Sequence, residues 1–128
     1  MSAKGKLLTE TELELMTIVW KLGEGSVNDV LEGLPSGRKL AYTSVSTMMR
    51  ILEQKEFLGS RKEGRGHVYY PRISKKEYEA TSARDLVKRV FDGDASCLVR
   101  RLIEKGDLTR EDLAKVRELL AKAPGRER

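Results

Sequence analysis

The chain has 128 residues, of which 35% are charged and 39% are apolar, and its formal net charge is +5. This composition predicts one helix-rich domain, or a small domain with an appendage, that has much solvated surface. The basic balance favours a polyanionic partner only modestly, because many basic proteins bind no nucleic acid. A single cysteine, Cys97, excludes an intramolecular disulfide and a cysteine-based zinc cluster. It fits the reducing cytoplasm, and no apolar run is long enough for membrane insertion.

Four short patterns predict where helices begin. In each pattern, Ser or Thr is followed three residues later by Asp or Glu, just before an amphipathic run. The hydroxyl can accept from a free backbone N–H, while the acid accepts from the N–H of the capping residue. The pairs are Thr9 with Glu12, Ser26 with Asp29, Ser74 with Glu77, and Thr109 with Asp112.

The first part of the chain predicts three helices and then a hairpin. We expect helices over residues 10–21, from residue 27 towards Pro35, and from Tyr42 or Thr43 to about residue 55. Strands near residues 57–61 and 68–73 flank a glycine-rich turn. Three helices followed by a hairpin with a basic tip is the order of a winged helix-turn-helix. The predicted fold class is therefore mainly α (α+β), with helices after the wing.

The rest of the chain predicts three more helices, near residues 75–91, 96–105 and 110–121. Three short helices cannot bury all of their apolar residues against one another. Since a two-fold partner can bury them, we predict a winged-helix domain at 1–73 and a helical dimerisation domain at 74–128. The alternative is an intramolecular cap on the first domain. The predicted dimerisation residues are Leu86, Val90, Phe91, Leu98, Val99, Leu102, Ile103, Leu113, Val116 and Leu120.

The third helix has the residues of a DNA-reading element. Short hydroxyl side chains near its start can enter the major groove, and an arginine can reach a guanine or a phosphate. No acid occurs in residues 38–52. The alternative is that Thr43 and Ser44 only cap the helix. The predicted DNA contacts of this element are Tyr42, Thr43, Ser44, Ser46, Thr47 and Arg50.

The hairpin adds basic side chains beside this helix. Arg61, Lys62, Arg65 and His67 are predicted to place positive charge next to the same DNA face. Arg38, just before the third helix, is predicted to touch the DNA backbone. As the only histidine, His67 is not a metal site, and its expected role is a wing contact or plain solvent exposure.

No pattern in the sequence predicts enzyme chemistry. There are no paired carboxylates, nucleophile–base set or phosphate loop, and the glycines at 64 and 66 lack the third glycine of a dinucleotide site. No cofactor and no metal are predicted. The remaining alternative to a DNA-binding protein is a winged-helix module that binds another protein without sequence-specific DNA binding.

Nearly the whole chain resembles the BlaI/MecI/CopY family of bacterial transcriptional repressors. The matching segments are LTETELELMTIVW, SVNDVLEGL, LAYTSVSTMMRILEQK, GRGHVYYPRIS and CLVRRLIEKGDLTREDLAKVRELL. The resemblance implies a homodimer that represses transcription by occupying a palindromic operator in double-stranded DNA. It implies control of a β-lactam-response or other stress-response gene set. It also implies base contacts from Thr43, Ser44, Ser46 and Thr47.

The sequence departs from the family pattern at three places. A basic residue is common at the position of Ile51, but here Arg50 precedes it. Penicillinase repressors are cut at an Asn-Phe bond, where this chain has Arg101-Leu102, so the same cut is not expected. The copper branch has a C-terminal cysteine cluster, whereas this chain has only Cys97, which argues against copper sensing of that kind.

Overall fold

The computed structural model describes residues 7–125, which form six helices and one two-stranded sheet. The elements in chain order are α1 (Glu10–Leu22), α2 (Val27–Glu32), α3 (Tyr42–Gln54), β1 (Leu58–Glu63), β2 (Gly66–Pro71), α4 (Lys75–Val90), α5 (Ala95–Glu104) and α6 (Arg110–Lys122). Three helices followed by an antiparallel hairpin confirm the predicted winged helix-turn-helix. None of the helices within residues 7–125 has both the length and the apolar character of a membrane span.

All four predicted capping boxes form in the structure. At the start of α1, the Glu12 N–H donates to Thr9 Oγ1 at 3.2 Å, and the Thr9 N–H donates to Glu12 Oε1 at 2.9 Å. The same reciprocal pairs start α2, α4 and α6. Because each box satisfies N–H groups that have no partner inside the helix, these patterns fix four helix starts.

The core lies between the first three helices, the hairpin and the start of α4. Its fully buried side chains are Leu15, Met16, Val19, Val30, Val45, Met49, Leu52, Phe57 and Leu58. Phe57 lies just before β1 and not in a strand as predicted. It packs edge-on against Tyr78, and the Trp20 ring also contacts Tyr78. The Trp20 indole N–H donates to the Ile73 carbonyl at 2.8 Å, which ties α1 to the end of the wing.

The hairpin turn is shorter than the four residues that the sequence predicted. Glu63 and Gly66 pair as the last rung of the ladder, so only residues 64 and 65 form the tip. Gly64 has φ +62, a left-handed conformation that glycine adopts without steric cost. A separate bridge pairs Gly25, between α1 and α2, with Tyr69 of β2.

Packing divides the described chain into two compact units, residues 7–83 and 84–125. The first unit includes the start of α4, because Tyr78 is buried there and its hydroxyl accepts from the Leu8 N–H at 2.8 Å. The second unit contains the end of α4 together with α5 and α6, and none of its residues is buried. The functional division into domains at 1–73 and 74–128 stays a prediction.

Candidate nucleic-acid interface

A cleft of about 310 Å³ lies between the start of α2, one face of α3 and the hairpin. Two consecutive helices and the later hairpin meet there, because the core packs α2 against α3 and the Gly25–Tyr69 bridge holds β2 beside α2. The lining residues are Ser26, Val27, Asn28, Tyr42, Ser46, Arg50, Arg65, Gly66, His67 and Tyr69.

Helix α3 exposes its predicted polar side chains because its opposite face is buried, and of the six predicted contacts Tyr42, Ser46 and Arg50 line the cleft. Val45, Met49 and Leu52 recur at helical spacing and lie in the core. Thr43, Ser44, Thr47 and Arg50 are exposed, Ser46 is half-buried, and Tyr42 is 52% exposed. Arg50 lines the cleft, whereas Ile51, which occupies the position where the resembled family commonly has a basic residue, does not.

The start of α3 differs from the capped helices. Ala41 is the N-cap residue, so no side chain accepts from the N–H groups of the first turn, and that turn has no acidic residue. The alternative interpretation of Thr43 and Ser44 as capping residues is therefore wrong, because both lie within the helix. A helix start of this kind keeps its partial positive charge open to an anion.

The wing contributes exposed basic groups. Lys62 of β1 pairs in register with His67 of β2, while Arg65 occupies the tip. These three side chains are exposed, and none makes an ion pair with another described residue. Arg65 and His67 also line the cleft, opposite Arg50.

Two predicted DNA contacts, Arg38 and Arg61, form ion pairs with acidic side chains of the chain itself. Arg38 donates from Nε and Nη2 to the Glu14 carboxylate over 3.0–3.2 Å, and these hydrogen bonds raise the pKa of Arg38. Arg61 pairs with Glu24 and Glu63. Neither arginine is among the residues that line the cleft.

Comparison with known proteins gives the chain a family. The sequence profile described as Penicillinase repressor matches residues 8–122. The chain belongs to the penicillinase repressor family. It is 26% identical over 121 residues to the penicillinase repressor of Bacillus licheniformis, covering 94% of each chain. It is 24% identical to the methicillin resistance regulatory protein MecI of Mammaliicoccus sciuri, covering 95% of this chain and 99% of MecI.

Two solved structures are also similar to this member of the penicillinase repressor family. The DNA-binding domain of the repressor BlaI is 32% identical, with a TM-score of 0.49 over 56% of this chain and 87% of that domain. Monomeric BlaI of Bacillus licheniformis in complex with the blaP half-operator is also 32% identical. Its TM-score is 0.48 over 57% of this chain and 89% of that one.

Part of the cleft is formed by residues that the sequence pattern did not predict. Asn28 lies at the start of α2 and lines the cleft, and Ser26 lines it as well as capping α2. The position of Asn28 in the first turn of α2, the helix that precedes α3, is the sequence feature that could have indicated its place in the cleft. Tyr69 is buried in the cleft wall and Tyr70 is exposed, because successive side chains of a strand point to opposite faces.

The ten predicted dimerisation residues are all half-buried or exposed in the single chain. In the second unit, an apolar cleft of about 550 Å³ lies between α5 and α6, lined mainly by Val99, Ile103 and Leu120 with polar side chains at its edge. Cys97 is a half-buried free thiol. Among residues 7–125, no group of histidine, cysteine or acidic side chains could hold a metal ion.

Proposed function

We propose that this member of the penicillinase repressor family is a homodimeric transcriptional repressor that binds a palindromic operator in double-stranded DNA. One observation carries the proposal: Tyr42, Ser46 and Arg50 of α3 line the same cleft as the wing residues Arg65 and His67. The first turn of α3 has no acidic residue. Membership of the family supports the same conclusion, because one relative is named a penicillinase repressor and another is named a regulatory protein of methicillin resistance.

The two parts of this surface have different roles in the proposed complex. The exposed face of α3 is narrow and polar, so Thr43, Ser44, Thr47 and Arg50 read base edges in the major groove. Lys62, Arg65 and His67 contact the sugar–phosphate backbone beside it, which sets the position of α3 but carries little sequence information. Each phosphate that a basic side chain neutralises releases counterions, so binding weakens as salt rises.

A second copy of the chain supplies the two-fold symmetry of the operator. The apolar residues of α5 and α6 are buried against their counterparts in that copy, since the second unit buries none of them by itself. A symmetric dimer presents two α3 helices to half-sites about 34 Å apart, one turn of DNA. Occupied operator DNA excludes the transcription machinery, which is the repressor activity.

The names of the relatives guide the choice of genes and compartment. Penicillinase repressor and MecI are named for β-lactam resistance, so we infer control of a β-lactam-response or another stress-response gene set. Such an activity belongs in the cytoplasm, where operator DNA is found. The proposal assigns no catalytic step, cofactor or metal to the chain.

The experiment that tests the function is selection of bound DNA from a random library, followed by sequencing. We expect an inverted repeat whose half-sites are spaced by about one helical turn. Enrichment of single, unrepeated sites would argue against a symmetric dimer. If even the unselected library gives no gel shift at low salt, the protein-interaction module becomes the better interpretation.

Two variants then distinguish a side chain that contacts bases from a side chain that contacts phosphates. Thr47→Ala should weaken binding to the selected site by about 1–3 kcal/mol and leave binding to random DNA nearly unchanged, because it removes a base contact. Arg65→Ala should weaken binding to both DNAs and reduce the salt dependence, because it removes a phosphate contact. Equal losses on both DNAs for Thr47→Ala would remove Thr47 from the reading surface.

A further inference from the structure

The guanidinium of Arg61 is occupied by two carboxylates. Its Nη1 donates to Glu24 Oε1 at 2.9 Å, and its Nη2 donates to Glu24 Oε2 at 2.5 Å. On the other side, Nε donates to Glu63 Oε2 at 3.1 Å, and Nη2 lies 3.0 Å from the same oxygen. All three guanidinium nitrogens are therefore engaged within the protein.

The charge of this cluster disfavours a phosphate. One arginine and two glutamates give it a net charge of −1, whereas Lys62, Arg65 and His67 make no ion pair with any described residue. Hydrogen bonds from Arg61 lower the pKa of Glu24, so the carboxylate stays ionised at neutral pH. A phosphate approaching Arg61 must compete with an intact bidentate pair and meets negative charge on both sides.

The same cluster joins the wing to the turn between α1 and α2. Glu24 lies in that turn and is separated from Arg61 by 37 positions in sequence. Its neighbour Gly25 exchanges two backbone hydrogen bonds with Tyr69 of β2, at 2.9 and 2.8 Å. The turn is thus bound to β1 through a side chain and to β2 through the backbone, which fixes both strands of the hairpin.

We propose that Glu24 is a positioning residue for the wing, and that Arg61 is its partner in this clamp and not a phosphate contact. Glu24 holds the hairpin at the angle that keeps Arg65 and His67 beside Arg50 across the cleft. The part of this inference that concerns DNA rests on the proposed function. It reassigns Arg61, which the sequence placed among the DNA contacts.

Hydrogen exchange of the DNA-free protein tests the clamp by itself. In the Glu24→Ala variant, the Tyr69 N–H, which donates to Gly25, should exchange about twofold to fivefold faster than in the wild type, because an exposed ion-pair network stabilises the fold only weakly. Glu32→Ala is the matched control, since it removes the same charge from α2 where no ion pair forms with a described residue. Unchanged exchange at Tyr69 in Glu24→Ala overturns the clamp.

DNA binding then distinguishes the two roles of Arg61 by the sign of the effect. Removing a negative charge near DNA tightens binding when charge alone matters, and we expect slight tightening for Glu32→Ala. Loss of a positioning residue instead weakens binding, and we expect about a twofold to fivefold weaker affinity for Glu24→Ala. Tighter binding by Glu24→Ala would show that Glu24 competes with phosphate for Arg61, and the inference fails.

A charge exchange completes the test without a change in net charge. Glu24→Arg combined with Arg61→Glu again places one arginine between two carboxylates, those at positions 61 and 63. If Arg61 only positions the wing, this double variant should bind DNA better than Arg61→Glu alone and within about twofold of the wild type, whose net charge it shares. A double variant as weak as Arg61→Glu alone contradicts the clamp. Wild-type protein that binds no DNA at low salt refutes the proposed function, while the exchange measurement still decides the clamp.

Discussion

The two compact units contrast in where their stability originates. In residues 7–83, the helices and the hairpin enclose a core whose central side chains are fully buried, and Tyr78 of α4 closes its edge. In residues 84–125, no side chain is buried, although α5 and α6 carry apolar residues at helical spacing. The first unit buries hydrophobic residues internally, whereas the second unit leaves its apolar side chains half-buried or exposed in the single chain.

Local interactions account for much of what holds the second unit together as a single chain. Asp94 caps α5, and Thr109 forms the capping box of α6. Ion pairs one turn apart, such as Lys115 with Glu111, support the exposed faces. Each such interaction contributes only a few tenths of a kcal/mol to about 1 kcal/mol. They specify helices, and the proposed dimer would add the packing that these local interactions do not supply.

The largest expected effect is in the core of the first unit. Leu52→Ala should lower the free energy of unfolding by about 2–5 kcal/mol, because it leaves a cavity among fully buried side chains. Leu119→Ala removes a side chain that is 67% exposed, and in dilute protein it should cost less than about 1 kcal/mol. Urea denaturation measures both. Equal losses in dilute protein would mean that the second unit has its own core, and the contrast would break.

The second expected effect concerns association. Ile103 is 52% exposed and lines the apolar cleft of the second unit. Ile103→Glu should raise the dissociation constant of the proposed dimer at least about 100-fold, because it would bury an unpaired charge at the proposed interface. Sedimentation velocity over a range of concentrations measures the change, and Ile103→Leu is the control because it nearly conserves volume.

The fluorescence of Trp20 reports separately on the first unit. It should not change in Ile103→Glu, since Trp20 packs against Tyr78 and donates to Ile73. If Ile103→Glu and wild type sediment alike at all concentrations, the apolar cleft is not the dimer interface. A change in Trp20 fluorescence at equal dimer content would instead show that the two units are not independent.

A pH titration compares the buried capping box of α1 in the first unit with the exposed capping box of α6 in the second unit. Burial raises the pKa of Glu12, but the hydrogen bonds from Lys55 and from Thr9 lower it by more than burial raises it. The pKa of Glu12 therefore lies below the usual 4.5. Because the folded pKa is lower than the unfolded pKa, this carboxylate stabilises the protein above about pH 4.5. That contribution is lost as pH falls through the folded pKa.

Glu12→Gln should therefore cost about 1–2 kcal/mol at pH 7 and progressively less in acid. In the exposed box of α6, a backbone hydrogen bond from Thr109 lowers the pKa of Asp112 in the same direction. Asp112→Asn should cost less than Glu12→Gln because water screens the exposed group. Unfolding free energies from pH 3 to 7 test this. Similar losses for the two variants would show that burial adds nothing to the box at Glu12.

Sequence reasoning succeeded where the signal is local. The four capping boxes depend on residues three positions apart, so the patterns predicted the helix starts at Thr9, Ser26, Ser74 and Thr109. The buried face of α3 followed from its apolar spacing for the same reason. Winged-helix order and the exposed polar face of α3 were accordingly predictable before any tertiary contact was known.

Interactions between distant segments were not predictable in this way. Glu14 and Glu24 lie 24 and 37 positions from the arginines that they bind, and only the packed fold brings them together. From the sequence, Arg38 and Arg61 were therefore predicted to be free to contact DNA, although both form ion pairs in the structure. Asn28 was missed because its place in the cleft depends on how α2 lies beside the wing.

The smallest expected effect concerns the uncapped start of α3. Ala41→Ser adds the missing acceptor for a first-turn N–H and should stabilise the protein by about 0.5–1 kcal/mol, with little change in DNA affinity. Ala41→Asp should give a similar gain in stability but weaken DNA binding severalfold, because its carboxylate lies at the positive end of the reading helix and repels phosphate. Thermal denaturation and gel shifts at two salt concentrations separate the two variants. An Ala41→Asp protein that binds DNA as tightly as Ala41→Ser would show that this end of α3 lies away from the phosphates, and the acid-free start of α3 would then have no electrostatic role in binding.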